Sequence, residues 1–444
     1  MMANSKDQQG HELRSVPENP CTNAPDVAEI EGDAPPAPPE QLPTHTILKF
    51  LTASFSFFVA GVNDGSVGAL IPYVIRQYNI NTAQTSALYA TNFAGWFISA
   101  IISTHLTQFF DLGSMMLLGA ALQVLAHALR IWNPPFPLFA LSFTFVSLGQ
   151  ALNDTHANSF VADARSSHRW LALIHASYSA GCLVGPFVST AVAAAVTPSV
   201  WYFFYAVPLG LCVANAAFIA LAFRDTVKFR RKEETSSESR HKDASKLMAL
   251  TFRSPSLWYL SIFFFFYLGS SLTASGWLVE YLIDVRKGDI SQMGFVAAGY
   301  NGGSLLGRLL LAEPIHRFGP RFMVFAFGIL CIGFQLVFWL VPNIIAASIA
   351  VSFVGFFAGP FFATGVSLGA KLFEPEVKPT ALAFVFVMAQ VGGSLFPMIT
   401  GGVASSAGVA VLQPILIALW VATALSWLLV PQTKKANLAA THQE

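Results

Sequence analysis

Residues 139–178 read FALSFTFVSLGQALNDTHANSFVADARSSHRWLALIHASY and join two long apolar segments that carry ionisable side chains. Asp154 lies deep in the first segment and His175 lies in the second. An ionisable group at membrane depth is costly, so it usually faces a water-filled cavity on the path of an ion or a solute. The stretch therefore predicts two membrane-spanning helices beside a polar site.

The composition of the whole chain agrees with a membrane protein. Of its 444 residues 54% are hydrophobic and 11% are charged, whereas a soluble protein carries about 25% charged residues. The net charge of +1 argues against nucleic acid as a partner, because that partner requires a basic face. The four cysteines are scattered, so their spacing predicts neither a disulfide framework nor a metal site. No cofactor is expected.

Apolar stretches of spanning length, about 20 residues each, recur twelve times in two sets of six. The sequence thus predicts an all-α membrane protein with twelve transmembrane helices. The first six spans are expected at 47–75, 83–106, 114–131, 136–160, 170–195 and 200–223, and the second six at 255–284, 291–312, 321–341, 343–371, 378–405 and 409–430.

The domain organisation follows from the segments between and around these spans. We expect a disordered cytoplasmic tail at 1–44, a first six-helix bundle at 45–223, a cytoplasmic linker at 224–254, a second bundle at 255–430 and a cytoplasmic C-terminal tail at 431–444. The linker is dense in Lys and Arg, which the positive-inside rule assigns to the cytoplasm. Both termini are then cytoplasmic as well. The charges predict only a solvated connection and no binding role for the linker.

The two sets of spans also resemble each other. GCLVGP at 181–186 in the fifth span has its counterpart in GGSLFP at 392–397 in the eleventh, and the loop FDLGSMM at 110–116 matches RFGPRFM at 317–323. Such repeats are typical of transporters whose two bundles rock about a site near the middle of the membrane. Small residues at helix crossings would give a similar pattern without any repeat.

Four stretches carry a resemblance to the major facilitator superfamily (MFS), and within it to the branch of fucose–proton symporters, which has many fungal members. They are FSFFVAGVND at 55–64, NDTHAN at 153–158, Gly307-Arg308 at the end of the eighth span, and VMAQVGGSLFP at 387–397. The resemblance covers about residues 47–430. It implies the MFS fold of two six-helix bundles and transport by alternating access.

The sequence departs from this branch at positions that bear on the solute. His175 and Tyr178 stand where the sugar symporters offer amides, and Phe362 stands where a Tyr is usual. Directional hydrogen bonds to a polyol are thereby lost, so sugar specificity is not carried over. The resemblance also implies a gating role for Asp111, Gly113, Arg308 and Arg317, with Arg308 anchoring a loop by pairing with an acidic neighbour.

The candidate site residues are mostly polar side chains within spans. Asp154 is predicted to be the main proton carrier, because a carboxyl group buried in a membrane can take up and release a proton. Asp64, amid nearby glycines, is predicted to be a second coupling group or else a hydrogen-bonded packing hinge, and His175 a proton relay or a locally satisfied histidine. The predicted solute-binding residues are Asn63, Asn158, Tyr178, Tyr267, Phe362 and Gln390.

These observations predict a secondary active transporter that moves a small organic solute by proton-coupled alternating access. Proton handling is assigned to the first bundle and recognition of solute shape to the Phe-rich second one. Uptake of a sugar-like solute and efflux of a metabolite both remain open, and a transport-inactive nutrient sensor with the same pocket is the alternative. The protein is expected to be a monomer in the lipid bilayer, in the plasma membrane rather than a vacuolar one. No nucleophile–base pair or ATP-binding loop indicates an enzyme or an ATPase.

Overall fold

The computed structural model describes residues 44–107, 109–162, 164, 167–195, 199–227, 250–374 and 376–431, and this part of the chain is almost entirely α-helical. The predicted tails lie outside it except at their inner ends, and so does most of the linker. The boundaries given for these segments therefore stay predictions. The all-α class and the twelve-helix fold are confirmed.

Twelve long helices follow one another along the described chain. They are α1 Thr44–Tyr78, α2 Ala87–Leu106, α3 Leu112–Arg130, α4 Phe136–Ala162, α5 Ser167–Ala194, α6 Ala206–Ala222, α7 Pro255–Asp284, α8 Ile290–Leu310, α9 Pro320–Leu340, α10 with its two segments Ile344–Ala358 and Phe361–Leu372, α11 Lys378–Ala407 and α12 Leu412–Leu429. Short helices at Thr82–Thr85 and Ala312–Phe318 connect neighbouring helices, and 3₁₀ turns at Trp201–Tyr205 and Val409–Val411 lead into α6 and α12.

Ten segments of the described chain are long and apolar enough to cross a membrane. The remaining two helices, α2 and α8, have 20 and 21 residues and are less apolar. They are the second helix of each half, and both carry polar side chains that line the central cavities described below. Their lower hydropathy thus follows from their position beside the site.

The tenth predicted span is divided into two helical segments near its middle. The expected tenth span, 343–371, breaks after Ala358, and a new segment begins at Phe361. Pro360 lies in the break. A proline lacks the backbone N–H that would continue the ladder of hydrogen bonds, and its ring crowds the preceding turn. The predicted span is present as one apolar segment, Ile344–Leu372, made of two helical pieces.

The packing of the helices repeats from the first half to the second. In the first half α1 packs on α5 and α6, α2 on α4, and α3 on α4 and α6. Adding six to each helix number gives pairs that pack in the second half. Contacts between the halves are formed by α1 with α7 and α8, α5 with α8, and α2 with α11. The structure therefore has the twofold organisation that the repeated motifs predict.

Glycines bring the paired helices close together at equivalent places. A Cβ atom added to Gly181 on α5 would lie 2.1 Å from the carbonyl oxygen of Phe58 on α1. One added to Gly392 on α11 would lie 2.0 Å from the carbonyl oxygen of Phe265 on α7. Any larger residue would push the helices apart, so the repeated glycines of the fifth and eleventh spans mark equivalent helix crossings.

The two halves meet closely on the side of the molecule where α1 ends and α2 begins. A Cβ atom on Gly68 of α1 would lie 2.0 Å from the carbonyl oxygen of Ser275 on α7. Nearby, the Tyr73 hydroxyl donates to the carbonyl oxygen of Ile290 at 3.3 Å. Gly401 of α11 approaches the Ser86 hydroxyl in the same way, at 1.9 Å for an added Cβ. We call this side the closed side.

Candidate functional site

The centre of the site is the carboxyl group of Asp64, which three side chains hold from three helices. Its Oδ1 accepts hydrogen bonds from the amide of Asn63 on α1 at 2.9 Å and from that of Gln150 on α4 at 3.1 Å. Its Oδ2 accepts from the Tyr178 hydroxyl on α5 at 2.9 Å. These donors fix the orientation of the carboxyl group, and all of them belong to the first bundle.

A buried arginine lies behind this carboxyl group. Arg130, at the end of α3, has no exposed surface. It donates from Nη1 to Asn63 Oδ1 at 3.0 Å and from Nε to Ser142 Oγ at 2.7 Å. Its guanidinium carbon lies 3.8 Å from the centre of the Phe143 ring. Asn63 thus bridges Arg130 and Asp64, with its oxygen toward the cation and its nitrogen toward the carboxylate.

Two adjoining cavities meet at Asp64. The first, which we call the amide cavity, has about 730 Å³ of empty space, its open mouth included, and its lining contains Asn63, Asn92 and Gln390. The second, the arginine cavity, has about 600 Å³ of empty space, its mouth likewise included, and its lining contains Arg308. Both cavities are lined by Asp64, Tyr178, Leu268, Leu272 and Ser275. Asp64 therefore stands at the junction between two spaces that the two bundles jointly enclose.

Arg308 does not form the pair that the resemblance implied. Its Nε donates to the carbonyl oxygen of Gly359 at 3.1 Å, and its Nη1 donates to the carbonyl oxygen of His175 at 3.3 Å and to the Ser179 hydroxyl. No carboxylate of the described chain lies within 4.0 Å of it. Arg308 thus contacts neutral acceptors on α10 and, across the interface between bundles, on α5. It belongs to the lining of a cavity.

Asp154, the first choice from the sequence, lies on α4 outside the lining of both cavities. Its Oδ1 atom is buried and has no hydrogen-bond partner among the described residues. Asn158, one helical turn further on, is half-buried and also lies outside both linings. Asp154 therefore does not share the cavity linings with Asp64, and its proton-carrying role stays a prediction.

The other predicted solute-binding residues divide between the cavities and an aromatic cluster. Tyr178 lines both cavities, Gln390 lines the amide cavity and Tyr267 lines the arginine cavity. The His175 ring instead packs between Phe57, at 5.4 Å between ring centres, and Phe362, at 5.5 Å. Neither His175 nor Phe362 belongs to the lining of these two cavities, so their predicted roles are untested.

The predicted gating residues outside the cavities lie near helix ends. Asp111 directly precedes α3, and a Cβ on Gly113 would lie 2.8 Å from the carbonyl oxygen of Phe223 just beyond α6. In the matching loop of the second half, Arg317 Nε lies 3.6 Å from Glu313 Oε1, and both side chains are exposed. These positions are equivalent in the two halves. Gating at them stays a prediction.

Two functional candidates escaped the sequence analysis. Gln150 lies one helical turn before Asp154, and Arg130 ends an apolar helix, where a cation is usually taken to reach out to the membrane surface. A signal for Arg130 was present, because the polar residues Gln123 and His127 precede it on the same apolar helix. In the described part of the chain no group of three His, Cys, Asp or Glu residues could hold a metal ion.

A multi-pass helical membrane protein with two pseudo-symmetric bundles around central polar cavities is a transporter in its architecture. Residues 53–352 and 267–444 match the family model of the Major Facilitator Superfamily, and the chain belongs to this family.

One sequence relative and two solved structures indicate how widely the likeness extends. The yeast Saccharomyces cerevisiae protein named bypass of stop codon protein 6 is 23% identical over 422 residues, covering 88% of this chain and 84% of its own. The structure of a D-xylose-proton symporter is 15% identical and aligns with a TM-score of 0.70 over 88% of this chain and 98% of its own. The E. coli fucose:proton symporter FucP is 18% identical, with a TM-score of 0.62 over 88% of this chain and 100% of its own.

Proposed function

We propose that this MFS transporter couples the movement of a small organic solute to protons, with Asp64 as the main proton carrier. The observation that carries the proposal is the place of Asp64 at the junction of the two central cavities, in reach of both solute and water. Asp154 was the first choice from the sequence. The cavities favour Asp64, and Asp154 is retained as a second coupling group.

Protonation of Asp64 would change the hydrogen bonds around it. As a carboxylate it can only accept, and it accepts from Asn63, Gln150 and Tyr178. A protonated carboxyl group gains one O–H donor and keeps its remaining acceptor capacity, so one of these neighbours can become the acceptor of the new donor. A hydroxyl can do this by rotation, which makes Tyr178 the natural partner. Tyr178 belongs to α5, which packs against α8 of the other bundle. Protonation of Asp64 on α1 would therefore change a hydrogen bond to a helix that contacts the second bundle.

The names of two structural neighbours, a D-xylose-proton symporter and a fucose:proton symporter, support coupling to protons. Both termini are proposed to be cytoplasmic and the protein to lie in the plasma membrane. The closed side then faces outward. Direction follows from the gradients, since a coupled carrier works both ways. Uptake and efflux therefore use the same site.

The test is solute-induced proton flux in liposomes that contain the purified protein and a pH-sensitive dye. Solutes are screened as a panel of neutral sugars, organic acids and apolar metabolites. Asp64→Asn is isosteric and cannot carry a proton, so we expect solute-induced proton flux to fall at least about tenfold, as for the loss of an essential proton-transfer group. Solute exchange without a gradient should persist.

Asp154→Asn is the matched variant on a carboxyl group outside the cavities. Its effect should be smaller than that of Asp64→Asn. Unchanged proton coupling in Asp64→Asn, or a larger loss in Asp154→Asn, would contradict the assignment. The sensor alternative predicts that a solute stabilises the protein against heat while no solute or proton flux occurs at all.

A further inference from the structure

The arginine cavity contains a cation that its surroundings do not neutralise. The acceptors of Arg308 are backbone carbonyls and hydroxyl groups, all of them neutral. Neutral acceptors form hydrogen bonds with the N–H groups of a guanidinium but do not compensate its positive charge. A cation at membrane depth is costly unless an anion compensates it. These acceptors bring no negative charge, so a compensating charge has to come from elsewhere.

Asp64 does not supply this charge, although it lines the same cavity. It is bonded to Asn63, Gln150 and Tyr178, and Asn63 connects it to Arg130. Asp64 and Arg130 thus form one neutral unit of the first bundle when Asp64 is ionised. Arg308 belongs to the second bundle and has no carboxylate partner in the described chain. Asp64, Arg130 and Arg308 together carry one net positive charge when Asp64 is ionised and two when it is protonated.

The rest of the lining is suited to an oxyanion. Around Arg308 the arginine cavity presents the hydroxyl groups of Tyr267, Tyr300, Ser271 and Ser304 and the amide of Asn301. All of these can donate hydrogen bonds. The one carboxyl group in this lining is Asp64, at the junction with the amide cavity. Beyond that junction, the apolar and aromatic lining of the amide cavity, with Trp96, Phe143 and Leu88, offers space for an uncharged body.

We propose that the transported solute is a small organic anion whose carboxylate binds at Arg308 in the arginine cavity. This deepens the proposed function, on which it rests, by naming the solute class. A guanidinium and a carboxylate match in a bidentate pair. A single cation with hydroxyl donors suits a singly charged carboxylate, whereas a phosphate monoester carries close to two charges at neutral pH. The apolar part of the acid lies in the amide cavity.

The charges also define the coupling. When a monocarboxylate at Arg308 moves together with one proton on Asp64, the transported charge is zero. Transport should then respond to a pH gradient and not to the membrane potential. A neutral solute moving with one proton would instead carry one positive charge and respond to both.

The first experiment uses the unmodified protein in liposomes with the potential set by potassium and valinomycin. The probes are lactate and benzoate as monocarboxylates, fucose and mannitol as neutral solutes, and glycerol 3-phosphate as a phosphate ester. We expect proton flux driven by one or both monocarboxylates, unchanged within about 1.5-fold when the potential is reversed. Flux with neutral solutes alone, flux with glycerol 3-phosphate alone, or a strong dependence on potential with the acids would overturn the anion site. The first of these would leave the proposed proton coupling intact, whereas solute flux without protons would overturn the coupling and not the site.

The second experiment compares variants by ligand-induced thermal stabilisation in detergent, which does not require transport. Arg308→Gln should abolish stabilisation by the monocarboxylate. Arg308→Lys should retain part of it, because a lysine keeps the positive charge but cannot form the bidentate hydrogen bonds of a guanidinium. Arg253→Gln, at an exposed position before α7, should bind as the unmodified protein does. Stabilisation by the acid that is equal in Arg308→Gln and the unmodified protein would refute the proposal. If Arg308→Gln does not fold, Arg308→Lys and the dependence on potential decide the question.

Discussion

At the scale of single residues, the amide of Asn63 explains how a carboxyl group and a guanidinium share the interior of the first bundle without touching. The amide oxygen accepts from Arg130 and the amide nitrogen donates to Asp64. A direct ion pair would hold both charges fixed. Through the amide, Arg130 instead orients Asp64 while both oxygens of the carboxyl group stay within reach of other donors.

Arg130→Gln tests this positioning role. Without the guanidinium the Asn63 amide is free to rotate, so Asp64 loses its fixed orientation, whereas the cavity lining keeps its residues because Arg130 is not among them. We expect the kcat of solute transport to fall about tenfold, the order of one misplaced catalytic contact, with the KM for the solute changed less than about twofold. Steady-state flux in liposomes gives both constants. Arg224→Gln, at an exposed position after α6, is the control, and a rise in KM with unchanged kcat would argue against a positioning role.

The sequence predicted the polar residues of the site better than their arrangement. Hydropathy located all twelve helices, and the scarcity of charge at depth singled out both Asp64 and Asp154. It could not say which carboxylate faces the cavities, because both lie on helices that are apolar around most of their circumference. The rotation of α1 about its axis is set by close contacts such as that of Gly181 with Phe58, and that of α4 by contacts such as that of Gly149 with Gly119. These contacts connect residues far apart in the sequence.

At the scale of helices, the start of α1 is attached to the chain just beyond α6 by an ion pair. Lys49 Nζ lies 2.6 Å from Asp225 Oδ2, and this hydrogen bond lowers the pKa of Asp225 below its ordinary value. A carboxyl group whose pKa is lowered by folding stabilises the protein above its unfolded pKa, and the contribution is lost as the pH falls through the folded pKa.

Asp225→Asn should therefore destabilise the protein at neutral pH by about 0.2–1 kcal/mol, the usual contribution of a solvent-accessible pair. The difference from the unmodified protein should shrink as the pH is lowered through the acidic range and vanish once Asp225 is protonated. Thermal unfolding in detergent between neutral and acidic pH provides the measurement. A difference that persists unchanged in acid would mean that the ion pair is not its cause.

The crossings of α1 with α5 and of α7 with α11 depend on glycine. Gly181→Val and Gly392→Val should each force a pair of helices apart and lower the free energy of unfolding by about 1–3 kcal/mol, the typical cost of overpacking. Gly210→Val on α6 is the matched control, because nothing lies within 4 Å of a Cβ at that position. Equal stability of all three variants in detergent would show that the crossings can relax without loss.

At the scale of the whole molecule, the closed side holds the two bundles in one of their arrangements. Gly68→Val would place a side chain against the backbone of Ser275 and so destabilise this arrangement, while the opposite arrangement is relieved of the contact. The population should shift toward the opposite conformation, in which the two bundles are apart on the side that is closed in this structure. A ligand or a mutation shifts such an equilibrium only by its differential free energy for the two states.

Cys182, which lines the arginine cavity, reports this shift. In a Cys21→Ser background, a membrane-impermeant maleimide added on the closed side should label Cys182 several-fold faster in Gly68→Val than in the unmodified protein. Gly402→Val is the control, since a Cβ there meets nothing within 4 Å, and Cys182→Ser should remove the signal. Equal labelling rates in Gly68→Val and Gly402→Val would show that this contact does not set the balance of states.

The break in α10 lies in contact with Arg308. The carbonyl oxygen of Gly359, at the joint between the segments Ile344–Ala358 and Phe361–Leu372, accepts a hydrogen bond from Arg308. A solute that binds the guanidinium would break this hydrogen bond to α10 and, at the same time, the hydrogen bonds of Arg308 to α5. Binding of the solute and release of these hydrogen bonds would then occur together. The transporter without solute would keep its two bundles connected, and the transporter with bound solute would be able to change conformation.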